Sequence, residues 1–399
     1  MKVDKSKWVE STLGYCLISL RTGLNPRLNF KLNEPGSNNY YITVRELNGR
    51  GLTITDKTDK FPDYAFPLIN NRSNLEVGDV LFTGTGTIGK TALVSETPQN
   101  WNIKEGVYAL KPNSELIDSE YLLHYLHSIN LMEFCRVNSK GATIQSVPMA
   151  TLKKAPIILP PLDKQQGIAK ELDTLQIMID GYKAQLYDLD ELIKSIFNNT
   201  FGDIHSNPYN FDIKLMQDVC SKITDGTHNP PKFVDSGIPF IFVSNIANYE
   251  ISYITKKHID DASYNELWKS TPVEVGDVVY TSVGSYGNPA IVRTDKKFMF
   301  QRHIALLKPK HDIIDSEYLK WFLISPSGRE QADNKAIGAA QKTLNLKAIK
   351  TFKVLVPPKE KQQCFTAQVK VLEKQRTLLQ EQLTDAEQLM AERMQYYFS

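Results

Sequence analysis

Cysteine is scarce in this 399-residue chain: Cys16, Cys135, Cys220 and Cys364 are too scattered for a zinc ribbon or a Cys-x-x-Cys redox pair. A reducing compartment is therefore expected. Long apolar runs are missing as well. Nothing approaches the roughly 18 residues that a membrane span needs, and the first residues lack the apolar stretch of a secretory signal, so a soluble, cytoplasmic protein with no membrane partner is expected. Neither sign of charge is in excess, with 47 Lys and Arg against 45 Asp and Glu and a formal net of +2. Dedicated nucleic-acid binders often carry a strong basic surplus, so binding of that kind must come here from local faces. No convincing nucleophile and base pair or carboxylate cluster stands out. His124 and His127, three apart on a predicted helix, have no third ligand nearby, so no metal site is assigned and surface or half-buried histidines are expected.

What remains is an ordinary globular composition, 41% hydrophobic and 23% charged, on a chain long enough for more than one core. The informative feature is a repeat. The segment Val77 to Lys90 recurs as Val275 to Asn288, both opening Val-Gly-Asp-Val. Ile117-Asp-Ser-Glu-Tyr-Leu122 recurs unchanged as Ile314 to Leu319, and Leu110-Lys-Pro112 as Leu307 to Pro309. Pro160-Pro161 with Lys164-Gln165-Gln166 falls on Pro357-Pro358 with Lys361-Gln362-Gln363. The offset stays at 197 or 198 throughout, so the chain is a tandem duplication.

Each copy changes periodicity at its double proline, which ends a strand-like run. A helix is expected just beyond, with Asp163 as N-cap and Gln166 completing a capping box. Its apolar residues step by four and three: Ile168, Leu172, Leu175, Ile179, Tyr182, Leu186, Leu189, Ile193 and Ile196. Copy two has Phe365, Val369, Leu372, Arg376, Leu379, Leu383, Ala386 and Met390, with Arg376 interrupting the stripe. Two matching heptad seams can pair. Helices of roughly 30 residues would make a rod of about 45 Å, close to 13 base pairs of B-DNA, which suggests a ruler. The rest of each copy reads as short strands broken by Gly, Pro, Asn and Asp, with one short helix near Ser119 to Met132 or Ser316 to Ile324.

Two motifs invite other readings. Gly84, Gly86, Gly89 and Lys90 resemble a phosphate loop, but a strand-like Thr91 to Ser95 follows where a helix is required, so hairpin glycines are expected. Asn229-Pro230-Pro231 resembles the base-gripping tetrapeptide of amino-methyltransferases, yet Lys232 offers no stacking ring and no cofactor loop precedes it.

The ordered, duplicated set of Val-Gly-Asp-Val, Gly-Thr-Ile-Gly-Lys, Lys-Pro, a Gly-centred loop, Leu-Pro-Pro-x-x-x-Gln-Gln and a heptad helix resembles the DNA specificity subunit of type I restriction-modification systems. The resemblance implies an α+β fold of two mixed α/β target recognition domains joined by two long antiparallel coiled-coil helices in a tandem pseudo-twofold repeat. Residues 1–160 would be the first recognition domain, 161–202 the first spacer helix, 203–357 the second domain and 358–399 the second helix. It implies no catalysis by this chain and no bound cofactor. S-adenosylmethionine, ATP and Mg would serve two methyltransferase and two restriction (translocase/endonuclease) subunits, while double-stranded DNA with a bipartite target is the ligand. Candidate DNA contacts are Arg21, Asn25, Arg27, Arg45, Lys90, Lys140, Thr143 and Gln145 in copy one, and Thr227, His228, Lys232, Asn245, Tyr286, Arg302, His303 and Lys342 in copy two. Candidate helix-pairing residues are Ile168, Leu172, Leu175, Ile179 and Leu186 with Phe365, Val369, Leu372, Leu379 and Leu383. Copy one departs from the family's Gln-x-His at Lys104-Glu105-Gly106, where copy two has Gln301-Arg302-His303. The rival readings are a DNA adenine methyltransferase and a coiled-coil adaptor that binds only proteins.

Overall fold

A computed structural model describes residues 5–339 and 341–399; residues 1–4 of the expected first domain lie outside the described residues. The chain forms two compact units, residues 1–183 with 381–399 and residues 184–380.

In unit 1 the strands are β1 (Val9–Thr12), β2 (Leu17–Thr22), β3 (Asn39–Ile42), β4 (Lys60–Phe61), β5 (Val80–Thr83), β6 (Thr91–Leu93), β7 (Trp101–Ile103), β8 (Val107–Pro112) and β9 (Pro156–Leu159). Helices α1 (Phe66–Ser73), α2 (Ser119–Tyr125), α3 (Ile129–Asn138), α4 (Met149–Leu152), the long α5 (Leu162–Phe201) as far as Lys183 and the last residues of the chain from Glu381 complete it. A four-stranded antiparallel sheet runs β2-β8-β5-β6, a second runs β4-β3-β7 with β3 and β7 parallel, and β1 pairs with β9. The pleat sends successive β5 side chains to opposite faces, and all four are buried because both faces of the sheet are covered. Val80 and Phe82 enter the core beneath α2, while Leu81 joins Ile42, Trp101 and Ile103 on the opposite side.

Unit 2 repeats this order with β10 (Asp212–Leu215), α6 (Met216–Val219), β11 (Cys220–Asp225), β12 (Ile238–Ile241), a hairpin of β13 (Ile246–Ala247) and β14 (Glu250–Ile251), β15 (His258–Ile259), α7 (Asp261–Ser270), β16 (Val278–Thr281), β17 (Pro289–Ile291), β18 (Met299–Phe300), β19 (Ile304–Pro309), α8 (Ser316–Ile324), α9 (Pro326–Lys335), α10 (Leu346–Lys350), β20 (Lys353–Val356) and α11 (Lys359–Phe398). The sheets β11-β19-β16-β17, β15-β12-β18 and β10-β20 match those of unit 1 strand for strand. Two helices, not one, follow the main sheet in each copy, because Ser128 and Ser325 cap fresh starts.

The repeated sequence motifs are packing devices. Asp118 caps α2 by accepting from the Glu120 and Tyr121 amides, and Asp315 does the same for α8. The Tyr121 hydroxyl donates to the Ile158 carbonyl and the Tyr318 hydroxyl to Leu355. Gln165 and Gln362 are completely buried. Gln165 donates to the Leu116 and Pro160 carbonyls and accepts from the Asp118 amide at 2.8–2.9 Å. Gln362 makes the same three bonds to Ile313, Pro357 and Asp315 at 2.7–3.1 Å. Each long helix is thus clamped to the domain that precedes it.

Both long helices run 40 residues, not about 30, and α5 starts at Leu162. Asp163 therefore sits inside the first turn and Gln166 is exposed, which removes the expected capping box; the Pro161 carbonyl accepts the first helical bonds instead. Within unit 1, Arg393 and the Tyr397 hydroxyl reach Glu171, and Lys183 reaches Glu387. Partner numbers fall as α5 numbers rise, so the helix segments there are antiparallel. Unit 2 behaves alike, with Arg376 facing Asp190 at 3.6 Å and Phe365 against Phe197 and Phe201. Arg376, which interrupts the stripe, thereby finds a charge on the facing helix. Ile168, Leu172, Leu175, Ile179, Phe365, Val369, Leu379 and Leu383 are buried, and Leu186 and Leu372 partly so. The helix ends also seal cores. Phe398 packs on Tyr121 and Phe201 on Tyr318, with ring centroids 5.1 and 4.8 Å apart. The helix of each sequence copy thus finishes in the core built by the other copy.

Candidate nucleic-acid interface

One end of the main sheet in each unit carries a loop frame built by the same backbone bonds. In unit 1 the β5–β6 turn closes with Gly89 donating to the Thr83 carbonyl, and the Thr83 hydroxyl accepts from the Lys90 amide. Gly86 and Gly89 have positive φ, as a tight hairpin turn requires, so the glycine-rich segment is a turn. The Gly84 amide donates to Gly106, tying the turn to the β7–β8 connection, and Gly86 donates to Gln145, tying it to the loop at 139–146. Unit 2 reproduces these bonds as Gly287 to Thr281, Ser282 to His303 and Gly284 to Lys342. A Cβ on Gly23 would collide with the Ile103 carbonyl, and one on Gly226 with the Phe300 carbonyl, so both glycines let the first loop press against the frame.

The frame of unit 2 opens a cleft of about 590 Å³ lined by Ser244, Ser285, Asn288, Gln301, His303 and Gln341 above Val243, Ile246 and Val283. Among the described residues its lining holds no carboxylate. Burial, helped by the charge of Arg302, holds the His303 imidazole below its ordinary pKa, so at neutral pH it is an uncharged donor and acceptor.

The frame gathers Lys90, Lys140 and Gln145 in unit 1, with exposed Thr143 on the same 139–146 loop, and Arg302, His303 and Lys342 in unit 2. Thr227 joins the latter, since its amide donates to Phe300 and its carbonyl accepts from Arg302. Asn25 and the exposed Arg27 lie in the loop after β2, beside a fully exposed Leu28. His228 and Lys232 are exposed in the corresponding loop after β11, His228 facing Asp225 at 3.1 Å. Arg21 is exposed on β2, within electrostatic reach of Glu76. Arg45 lies off the frame, tied to Asp59 at 2.6 Å.

Two expectations need correction. Asn245 is buried and its amide is consumed internally, accepting from the Phe242 amide and donating to the Ser252 and Ile254 carbonyls, so it shapes a turn and has nothing left for a base. Tyr286 is 8% exposed, its hydroxyl donates to Asp333 and Arg329 covers its ring, so it belongs to the core. Sequence reasoning also missed Lys104, Gln301 and Gln341, although the contrast between 102–106 and 299–303 pointed to the first two.

Other chemistry finds no setting. Phe233, the ring nearest Asn229-Pro230-Pro231, packs against Phe240 at 5.4 Å and is not free to stack on a base. His124 is buried against Asp173 at 2.7 Å, and His127 is bonded to Thr91 at 2.6 Å. Burial lowers the pKa of both. Among the described residues no group of three metal-ligating side chains occurs. The four cysteines are free, and burial pushes the Cys16 and Cys135 thiols up to about 11. No helix among the described residues is long and apolar enough to cross a membrane.

Residues 5–188 and 218–388 match the family model of the type I restriction modification DNA specificity domain. The chain belongs to this family. The specificity subunit of the type I restriction enzyme EcoBI of Escherichia coli is 26% identical over 62% of this chain and 56% of its own length. The putative MjaX specificity subunit of Methanocaldococcus jannaschii is 24% identical over 75% of this chain and 72% of its own. The solved structure of a type I restriction-modification S subunit from M. genitalium shares the fold, with a TM-score of 0.60 at 14% identity over 100% of this chain and 98% of that one. Two copies of the specificity domain in one chain agree with the two units and their repeated frames.

Proposed function

We propose that this chain is the DNA sequence-recognition subunit of a type I restriction-modification complex, without catalysis of its own. Each unit reads one half of a bipartite site on double-stranded DNA. The long helices set the number of base pairs between the halves and dock methyltransferase subunits, two per complex. Those subunits bring S-adenosylmethionine, and two restriction subunits bring ATP and Mg for translocation and cleavage. Such a complex acts in the cytoplasm. The observation that carries the reading is the duplicated loop frame: one chain offers two equivalent polar surfaces whose flanking loops differ, as a reader of two unlike half-sites requires. The test is to express the chain with its methyltransferase subunit in a host lacking other adenine methylation and to map the modified bases. A single bipartite motif with a fixed gap is expected. Methylation without a motif, or by this chain alone, would refute the proposal.

A further inference from the structure

The surfaces that the two units share, and those in which they differ, divide the work of holding DNA. The frame bonds recur pair by pair, down to the Lys104 amide donating to the Ile42 carbonyl at 2.9 Å and the Gln301 amide donating to Ile241 at 3.4 Å. The loops feeding them do not recur. Residues 23–38 link β2 to β3 where the shorter 226–237 link β11 to β12, and the ten-residue α7 stands where unit 1 has the eight-residue α1. Every duplex presents the same phosphate backbone, whereas two unlike half-sites present different base edges. A surface retained in both units suits the first, and a surface that differs suits the second.

Side chains on the shared frame are interchanged in kind. Lys90 stands where Asn288 stands, Lys104 where Gln301 stands, Glu105 where Arg302 stands and Gly106 where His303 stands. The amide group of Gln301 has no hydrogen-bonding partner among the described residues and lines the open cleft.

We propose that the frame is a sequence-blind phosphate clamp, which in unit 1 holds phosphates with Lys90 and Lys104 and in unit 2 puts the uncharged Asn288, Gln301 and His303 at those places beside the exposed Arg302 and Lys342. Base edges are then left to the loops around Asn25 and Arg27 and around Thr227 to Lys232. The inference rests on the DNA-recognition reading above. It is tested with the full chain bound to its methyltransferase subunit, titrated with a duplex carrying the mapped motif across a salt series. Lys104→Gln should reduce the slope of log affinity against log salt by about 0.9, and Gln301→Lys should raise it by as much, both leaving the motif unchanged. Asn25→Ala should relax one base position and leave the slope alone. A Lys104 or Gln301 variant that changes the motif, or that moves neither slope nor motif, would overturn the clamp. Absence of any sequence preference in the unaltered complex would instead remove the function on which the clamp depends. Unfolding curves matching the unaltered chain show that the variants are folded.

Discussion

Replacing Gln362 by methionine isolates the clamp between a recognition domain and its helix. The substitution keeps side-chain length while deleting one acceptor and two donors that serve the Asp315 amide and the Ile313 and Pro357 carbonyls. The residue is 0% exposed, so water cannot simply replace it. Each satisfied bond is worth about 1 kcal/mol net, and each buried group left unpaired costs about 1–3 kcal/mol, so a loss of about 3–6 kcal/mol in unfolding free energy is expected. Asp315 also caps α8 and accepts from the Thr366 hydroxyl, so slackening should spread to the first turn of that helix. Urea unfolding gives the total, and hydrogen exchange at the Asp315 amide gives the local opening. Gln165→Met should behave alike in unit 1, where the three bonds are duplicated. The neighbouring Gln166 and Gln363 are exposed, and their methionine variants should stay within about 0.5 kcal/mol of the unaltered chain. A loss below about 1 kcal/mol for Gln362→Met, or an equal loss at Gln363, would show that the helix is held by something else.

Three further outcomes follow from the same geometry. Burial raises the Asp79 carboxyl from 3.8 to about 6, so the unfolded chain gives up its proton first. The stability this group contributes is present below about pH 4 and lost as pH rises through 6, up to about 3 kcal/mol; Asp79→Asn should match the unaltered chain in melts at pH 4 and exceed it at pH 8. Glu373→Gln should cost about 2–3 kcal/mol in thermal unfolding, because it leaves Lys320, 1% exposed, with Glu317 as its remaining carboxylate, and adding Lys320→Met should recover part of the loss. Seven residues inserted after Leu186, with a matching heptad in α11, add about 10 Å and should widen the gap in the methylated motif by about three base pairs with both halves intact; an unchanged gap would count against the helices as spacers.

Much of the architecture was legible because the duplication is written in residues that packing holds fixed. Asp118, Ser119, Tyr121 and Gln165 each make a bond that only that side chain makes, and their counterparts stand 197 residues on. Asn245 and Tyr286 were misread for the opposite reason. Polar residues in a turn-rich segment look alike whether their hydrogen bonds go outward or inward, and only coordinates show that Asn245 spends its amide on Ser252 and Ile254. The start of α5 was misplaced because Asp163 and Gln166 satisfy a local capping rule that the double proline pre-empts by starting the helix at Leu162. No local signal could reveal that Phe398 belongs against Tyr121, since that contact joins sequence positions 277 residues apart.

The near-neutral total charge follows from where the charges are employed. In unit 2, Lys320 and Arg293 meet Glu317 and Glu373 between α8, α11 and the end of β17 at 2.5–2.9 Å. Burial alone would raise the Glu317 carboxyl, but Lys320 and Arg293 hold it below the usual range. In unit 1, Asp173 on α5 is held below its usual range, against the effect of burial, by Arg50 and His124. Acidic residues are thus committed to fastening each domain to a long helix, and at Lys183 with Glu387 and Arg393 with Glu171 to fastening α5 to α11. Lys90, Lys104 and Lys140 on one frame and Arg302 and Lys342 on the other stay exposed, with Glu105 next to Lys104, Asp59 within electrostatic reach of Lys104 and Asp333 within reach of Lys342. Basic side chains thus gather on the frames although the formal total is only +2, and it is such local charge, not the sum, that steers association.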